Sequence, residues 1–91
     1  MHYLLTYEAE PNYAERRTPF REAHLALVKA AHARGEILMA GALADPVDGS
    51  VFLFQCESQT IPEDFAKNDP YVLGGIIKKW YVRPWTVVIG G

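Results

Sequence analysis

Ninety-one residues with a net charge of −2, 49% apolar side chains and one cysteine point to a single small domain over residues 1–91, in a reducing, cytoplasmic setting. The charge excludes a general nucleic-acid binder, whose footprint is basic, and the lone Cys56 excludes a disulfide framework and any multi-cysteine metal site. No apolar run approaches the length that spans a membrane, and so small a domain is marginal unless it gains burial by association.

The N-terminal Met1–Tyr7 stretch is apolar but too short for a signal peptide, and it lacks a basic region. His2 to Glu8, rich in Tyr, Leu and Thr, reads as a first strand ended by Glu10-Pro11-Asn12. The charged stretch Tyr13 to Arg17 reads as a loop or irregular turn. Thr18-Pro19 predicts a helix start, with Thr18 as N-cap and Pro at the first helical position. Gly35 supplies the stop after about Arg34. At 100° per residue Phe20, His24, Leu27, Val28 and Ala31 share one stripe, and Glu22, Lys29 and Ala33 fall opposite.

Glu36 to Leu43 predicts a second strand and Val51 to Glu57 a third, with Asp48-Gly49 as the hairpin signal between them. Thr60-Ile61-Pro62-Glu63 has the form of a capping box opening a shorter helix, Glu63 to Lys67. Asn68-Asp69-Pro70 stops or restarts it, Tyr71 to Leu73 adds a turn, and Ile76 to Ile89 is a last extended segment interrupted by Pro84. The order is β-α-β-β-α-β: an α+β, ferredoxin-like arrangement of an antiparallel sheet with both helices on one face. In Val51–Phe54, Trp80–Val82 and Trp85–Val88 both alternating faces are apolar. Helices cover one face, so the other predicts a homodimer whose sheets pack together.

Chemistry centres on His24. An imidazole on an apolar stripe needs partners for its nitrogens. It is either a core histidine satisfied by a backbone group or one half of a proton-transfer pair. Asp69, before Pro70, is an N-cap by position; one oxygen can cap while the other faces His24. Arg21, one turn before His24, suits an anionic group such as a carboxylate or phenolate. Arg16 and Arg17 read as surface arginines paired with nearby acids. Tyr71 either lines a pocket or packs after the turn. His32 reads as solvated, and His2 has no partner. Three scattered histidines and one cysteine make no metal constellation. Lys78–Trp85 interleaves basic and aromatic residues as a single-strand nucleic-acid platform does, but the acidic total charge makes it an interface strand. Gly90-Gly91 has the form of a ubiquitin-like tail, which a helix directly after the first strand contradicts.

The pieces Arg21-Glu22-Ala23-His24-Leu25, Gly35-Glu36-Ile37-Leu38-Met39-Ala40-Gly41, Asp69-Pro70-Tyr71 with a glycine shortly after, and Val82-Arg83-Pro84-Trp85 resemble the YCII-related (YciI-like) family of dimeric α+β barrel proteins over nearly the full chain. Glu22 and Ala42 depart from it, standing where many members carry proline. The resemblance implies a His–Asp active site, here His24 and Asp69; neither a cofactor nor a metal is expected. It also implies chemistry like that of relatives that eliminate HCl from chlorinated hydroxyquinol-type aromatics. The expected activity is therefore proton transfer by the pair, for elimination, dehydrochlorination or isomerisation, on a small, anionic, oxygenated cyclic or aromatic compound. Arg21 and Tyr71 are expected to contact that compound. The alternatives are a non-catalytic ligand-binding or accessory dimeric module, and a purely structural dimerisation domain with no pocket between helix and sheet.

Overall fold

The computed structural model describes residues 1–90. Its elements are β1 (His2–Ala9), α1 (Tyr13–Arg16), α2 (Thr18–Ala33), β2 (Ile37–Ala42), β3 (Gly49–Gln55), α3 (Thr60–Asn68), α4 (Pro70–Leu73) and β4 (Ile77–Trp85). The strands form one sheet in the order β2-β3-β1-β4, every neighbouring pair antiparallel. The expected α+β, ferredoxin-like order therefore holds, with one single-turn helix added beside each main helix.

The inner sheet face follows the period-two alternation of a strand. Tyr3, Leu5 and Tyr7 of β1 and Ser50, Phe52 and Phe54 of β3 are all buried. All but Ser50 meet Ala31 of α2 and Phe65 and Ala66 of α3 in one core. The aromatic contacts there are edge-on or tilted, with Tyr7–Phe52 centroids 4.7 Å apart and Phe52–Phe65 5.4 Å apart, as ring quadrupoles favour. A bulge between Ile37 and Met39 resets the alternation of β2. It leaves Ile37 inside and turns Met39 to the outer face, where it is 68% exposed.

Several local expectations are corrected. Tyr13 to Arg17 is not an irregular loop: Asn12, at φ 63°, opens α1 and its carbonyl accepts from Glu15 and Arg16 N–H. Arg17 keeps helical angles into α2, so Thr18 is not a cap. Its hydroxyl instead donates back to the Glu15 carbonyl at 3.2 Å. Thr60 likewise lies inside α3, where its own N–H donates to the Ser58 hydroxyl and the Ile61 N–H to the Ser58 carbonyl, and the capping box does not form. Pro62 is tolerated there because first-turn N–H groups have no intrahelical acceptor. Gly35 ends α2 at φ 81° as expected.

Asp48-Gly49 is not the centre of a hairpin turn. Residues 43–48 form the connection and Gly49 begins β3, opposite Glu8 of β1. Glycine is required there because a Cβ would collide with the Tyr7 carbonyl oxygen. The last strand stops at Trp85, and Val88 and Ile89 lie beyond it, almost fully exposed. Pro84 is accommodated because β4 is an edge strand. The second glycine of the Gly90-Gly91 pair lies outside the described residues.

Candidate active site

Four elements converge on Asp69, which is fully buried. Proline at 70 keeps Asp69 extended, at φ −71° and ψ 127°, which aims its carboxylate back over the start of α4. Oδ1 accepts the Tyr71 N–H at 3.0 Å. His24 Nδ1 from α2 lies 2.8 Å from Oδ1 and 2.9 Å from Oδ2. The Tyr7 hydroxyl of β1 donates to Oδ2 at 2.6 Å. The expected division, one oxygen for the cap and one for the histidine, is not kept. Oδ1 serves both, and Oδ2 is shared with a tyrosine that sequence reasoning missed.

This arrangement sets the chemistry of the imidazole. An ionised carboxylate only accepts, so Nδ1 donates its hydrogen to Asp69, and in the neutral form of the ring the lone pair then falls on Nε2. Nε2 finds no partner among the described residues, yet it is not sealed: the one buried side-chain nitrogen or oxygen left without a partner among them is His2 Nε2. The Tyr71 ring stacks on the imidazole at 3.8 Å with planes 8° apart, and Phe52 meets it edge-on at 6.0 Å. Tyr13 in turn stands edge-on to Tyr71 at 5.7 Å. Gly74 lets α4 come this close to α2, since a Cβ there would lie 2.6–2.9 Å from the Phe20 ring. His24 is thus fixed in position, ring plane and tautomer.

A pocket of about 140 Å³ opens beside His24. Arg17, Arg21 and Tyr13 border it, Tyr71 and Phe52 supply aromatic walls, and Ser50 and the small residues Ala40–Ala42 complete it. The structure brings together all four residues singled out in the sequence, His24, Asp69, Arg21 and Tyr71. Asp69 alone of the four does not line the pocket; it stands behind the imidazole. Arg17 is not a surface arginine paired with an acid. Its guanidinium lies 5.5 Å from the Tyr13 ring centroid, and neither it nor Arg21 forms an ion pair among the described residues. Tyr7, Tyr13 and Ser50 were missed because their signal is only strand alternation and aromatic content. Their partners lie 62 and 37 residues away.

Burial, reinforced by the negative charge of Asp69, pushes the Tyr7 phenol far above its ordinary value of 10.0. Burial also raises Tyr71, against the opposing charges of Arg17 and Arg21. Between pH 10 and the folded-state value the unfolded chain loses the Tyr7 proton and the native state keeps it. Stability is therefore complete below pH 10 and falls above it, by about 1.4 kcal/mol per pH unit for one such group. Urea unfolding from pH 8 to 11 should show this decline. Tyr7→Phe, weaker at neutral pH, should show a slope smaller by one proton; an unchanged slope would mean that Tyr7 ionises as freely in the native state as in the unfolded one.

The sequence profile of the YCII-related domain matches residues 1–86. The chain belongs to this family. Among its YCII-related kin, an uncharacterized protein of Haemophilus influenzae is 33% identical over 97% of this chain and 99% of its own length. Protein YciI of Escherichia coli is 30% identical over the same shares. Among solved structures, the 5-chloro-2-hydroxyhydroquinone dehydrochlorinase TftG of Burkholderia phenoliruptrix, in complex with 2,5-dihydroxybenzoquinone, superposes with a TM-score of 0.81. It is 23% identical, and 94% of each chain is covered. PA3566 of Pseudomonas aeruginosa gives a TM-score of 0.62 at 13% identity, covering 97% of this chain and 93% of its own. These two likenesses speak to the fold, the α+β barrel type expected from the family.

Proposed function

We propose that this YCII-related domain is a cofactor-independent enzyme in which His24 takes a proton from a small oxygenated cyclic or aromatic compound while Asp69 orients it. The observation that carries this reading is the His24 ring itself. Its Nδ1 is committed to a buried carboxylate, and its Nε2 is left open beside a pocket. A structural histidine has no need of that asymmetry. A general base requires it, because the lone pair must face the substrate and the imidazolium that forms must be stabilised from behind. Arg21 draws in an anionic group, and Tyr71 contacts the bound ring and clamps the imidazole. TftG, of the same fold, is named for a dehydrochlorination and holds a dihydroxyquinone. An elimination of that kind asks a protein for one oriented base and a small pocket.

The test is a turnover screen of hydroxylated and chlorinated single-ring aromatics and of lactones, read by absorbance and chloride release, with His24→Ala as the blank. Binding without turnover in any of them would make the domain a ligand-binding module instead.

The reading includes a homodimer in the cytoplasm, each chain one domain. No described helix is long and apolar enough to cross a membrane, and the single thiol of Cys56 suits a reducing compartment. The outer sheet face carries Leu4, Val51 and Leu53 beside Met39 and Trp85, the last 46% exposed. An apolar face of this kind calls for cover, and a second copy supplies it with matching chemistry. Met39→Glu combined with Leu53→Glu should weaken association about 100-fold or more in sedimentation equilibrium, since like charges would be buried across the two-fold axis. A wild-type chain that sediments as a monomer at micromolar concentration would overturn this part.

A further inference from the structure

We infer that the hydroxyls of Tyr13 and Ser50 form a hydrogen-bond donor site for a ligand oxygen in the His24 pocket, and that the ligand is an enolisable single ring bearing that oxygen; the second clause rests on the reading of His24 as a base. Ser50 is an odd residue for its place. It follows the inward alternation of β3, where Phe52 and Phe54 are fully buried, and is itself only 4% exposed. A hydroxyl there is unfavourable unless it is bonded. Its partner is the Tyr13 hydroxyl, 3.2 Å away, on a side chain 2% exposed.

The count of hydrogens makes this pair more than a tether. Two hydroxyls bring two O–H hydrogens, and one contact between them uses one. Whichever oxygen donates, the hydrogen on the other remains, and neither hydroxyl has a further partner among the described residues. Both residues line the pocket that His24 lines. The surrounding charge favours an oxygen rather than a donor at that hydrogen. Arg17 and Arg21 also border the pocket, and none of its lining residues is acidic. The volume has room for a single ring. A cavity of roughly 150 Å³ accepts benzene, and this pocket is about 140 Å³.

The two poles then divide one step. His24 Nε2 forms its bond to hydrogen as the substrate C–H or O–H bond breaks. The electron pair left behind moves through the ring onto a carbonyl oxygen, and the spare O–H of the Tyr13–Ser50 pair donates to that oxygen as its charge grows.

The probe is 2,5-dihydroxybenzoquinone, titrated by its absorbance against the wild-type protein, Tyr13→Phe, Ser50→Ala and the double variant, with circular dichroism to confirm folding. Each single variant should weaken binding about tenfold. The double variant should be little worse than either, because the pair acts as a unit. Singles that bind the probe as tightly as wild type would reduce the pair to a tether between α1 and β3, and a wild type that does not bind it would equally overturn the inference. The outcomes separate the two readings. If binding depends on the pair but no ring compound is turned over, the donor site stands and His24 falls as a base. If His24→Ala abolishes a turnover that the pair variants leave intact, the base stands and the donor site falls.

Discussion

Asp69→Ala is expected to lose about 3–5 kcal/mol of folding stability together with all measurable turnover. The carboxylate is fully buried and gathers three donors: the Tyr7 hydroxyl, His24 Nδ1 and the Tyr71 N–H. Removing it strips each of these of its acceptor at once. It also removes the cap of α4, itself worth about 1 kcal/mol, and leaves a buried phenol with nowhere to donate, at about 1–3 kcal/mol. These losses overlap, so the range is that of a broken buried pair rather than their sum. Asp69→Asn separates the two roles. The amide preserves volume and one acceptor, so much of the stability should return. It also sets an NH2 among donors. Where that NH2 turns to His24, Nδ1 becomes the acceptor and the hydrogen moves to Nε2, facing the pocket the wrong way round. Urea unfolding at constant m-value and a single-turnover assay check the pair of variants. An Asp69→Ala protein within about 1 kcal/mol of wild type would show that the three bonds are incidental to the fold.

His24→Ala should lower turnover by about 10³-fold or more while leaving folding largely intact, since general-base catalysis contributes about 10²–10⁴. The variant loses the stack on Tyr71 and one of the three donors to Asp69, but the carboxylate keeps Tyr7 and the Tyr71 N–H. The cost in stability is accordingly about 1–3 kcal/mol. The space left behind adjoins the open pocket, so added imidazole should restore part of the rate. A variant that turned over the wild-type substrate at the wild-type rate would remove His24 from the chemistry. Loss in kcat with little change in KM is the expected pattern, because the lone pair matters when the proton moves and not when the ring docks.

His24 was visible because helical periodicity puts it on the same stripe as Leu27 and Ala31, where an imidazole is out of character. Asp69 was visible because Asp-Pro is a local signal: the cap and the extended backbone follow from two adjacent residues. Arg21 follows from His24 by one helical turn. Tyr7 was hidden. In His2–Glu8 it is one of several aromatic or apolar residues on a predicted strand, and nothing nearby says that its hydroxyl meets a carboxylate 62 positions on. Ser50 and Tyr13 were hidden for the same reason, and Arg17 was misread because the turn before α2 proved helical and swung it to the pocket.

Thr18 and Thr60 both look like N-caps, yet each sits inside a helix that an earlier turn had already begun. Cap signals state that a helix N-terminus is near. They do not state which residue is last to leave the extended region, because that depends on whether the preceding backbone finds other acceptors.

By itself, the sequence determined the order of the main strands and helices, the apolar character of both sheet faces, and, through its family pattern, the His–Asp pairing. The first two depend on periodicity and on local backbone chemistry, which act over a few residues; the pairing, across 45 positions, came only from the resemblance. The tertiary structure alone decided that both carboxylate oxygens straddle the imidazole, that Tyr7 locks them, and that Arg17, Tyr13 and Ser50 border the opening at Nε2. Those contacts join β1, α1 and β3 to α2 and α4. They exist only once the antiparallel register has laid Tyr7 beside Ser50 and the glycine at 74 has let α4 close against Phe20.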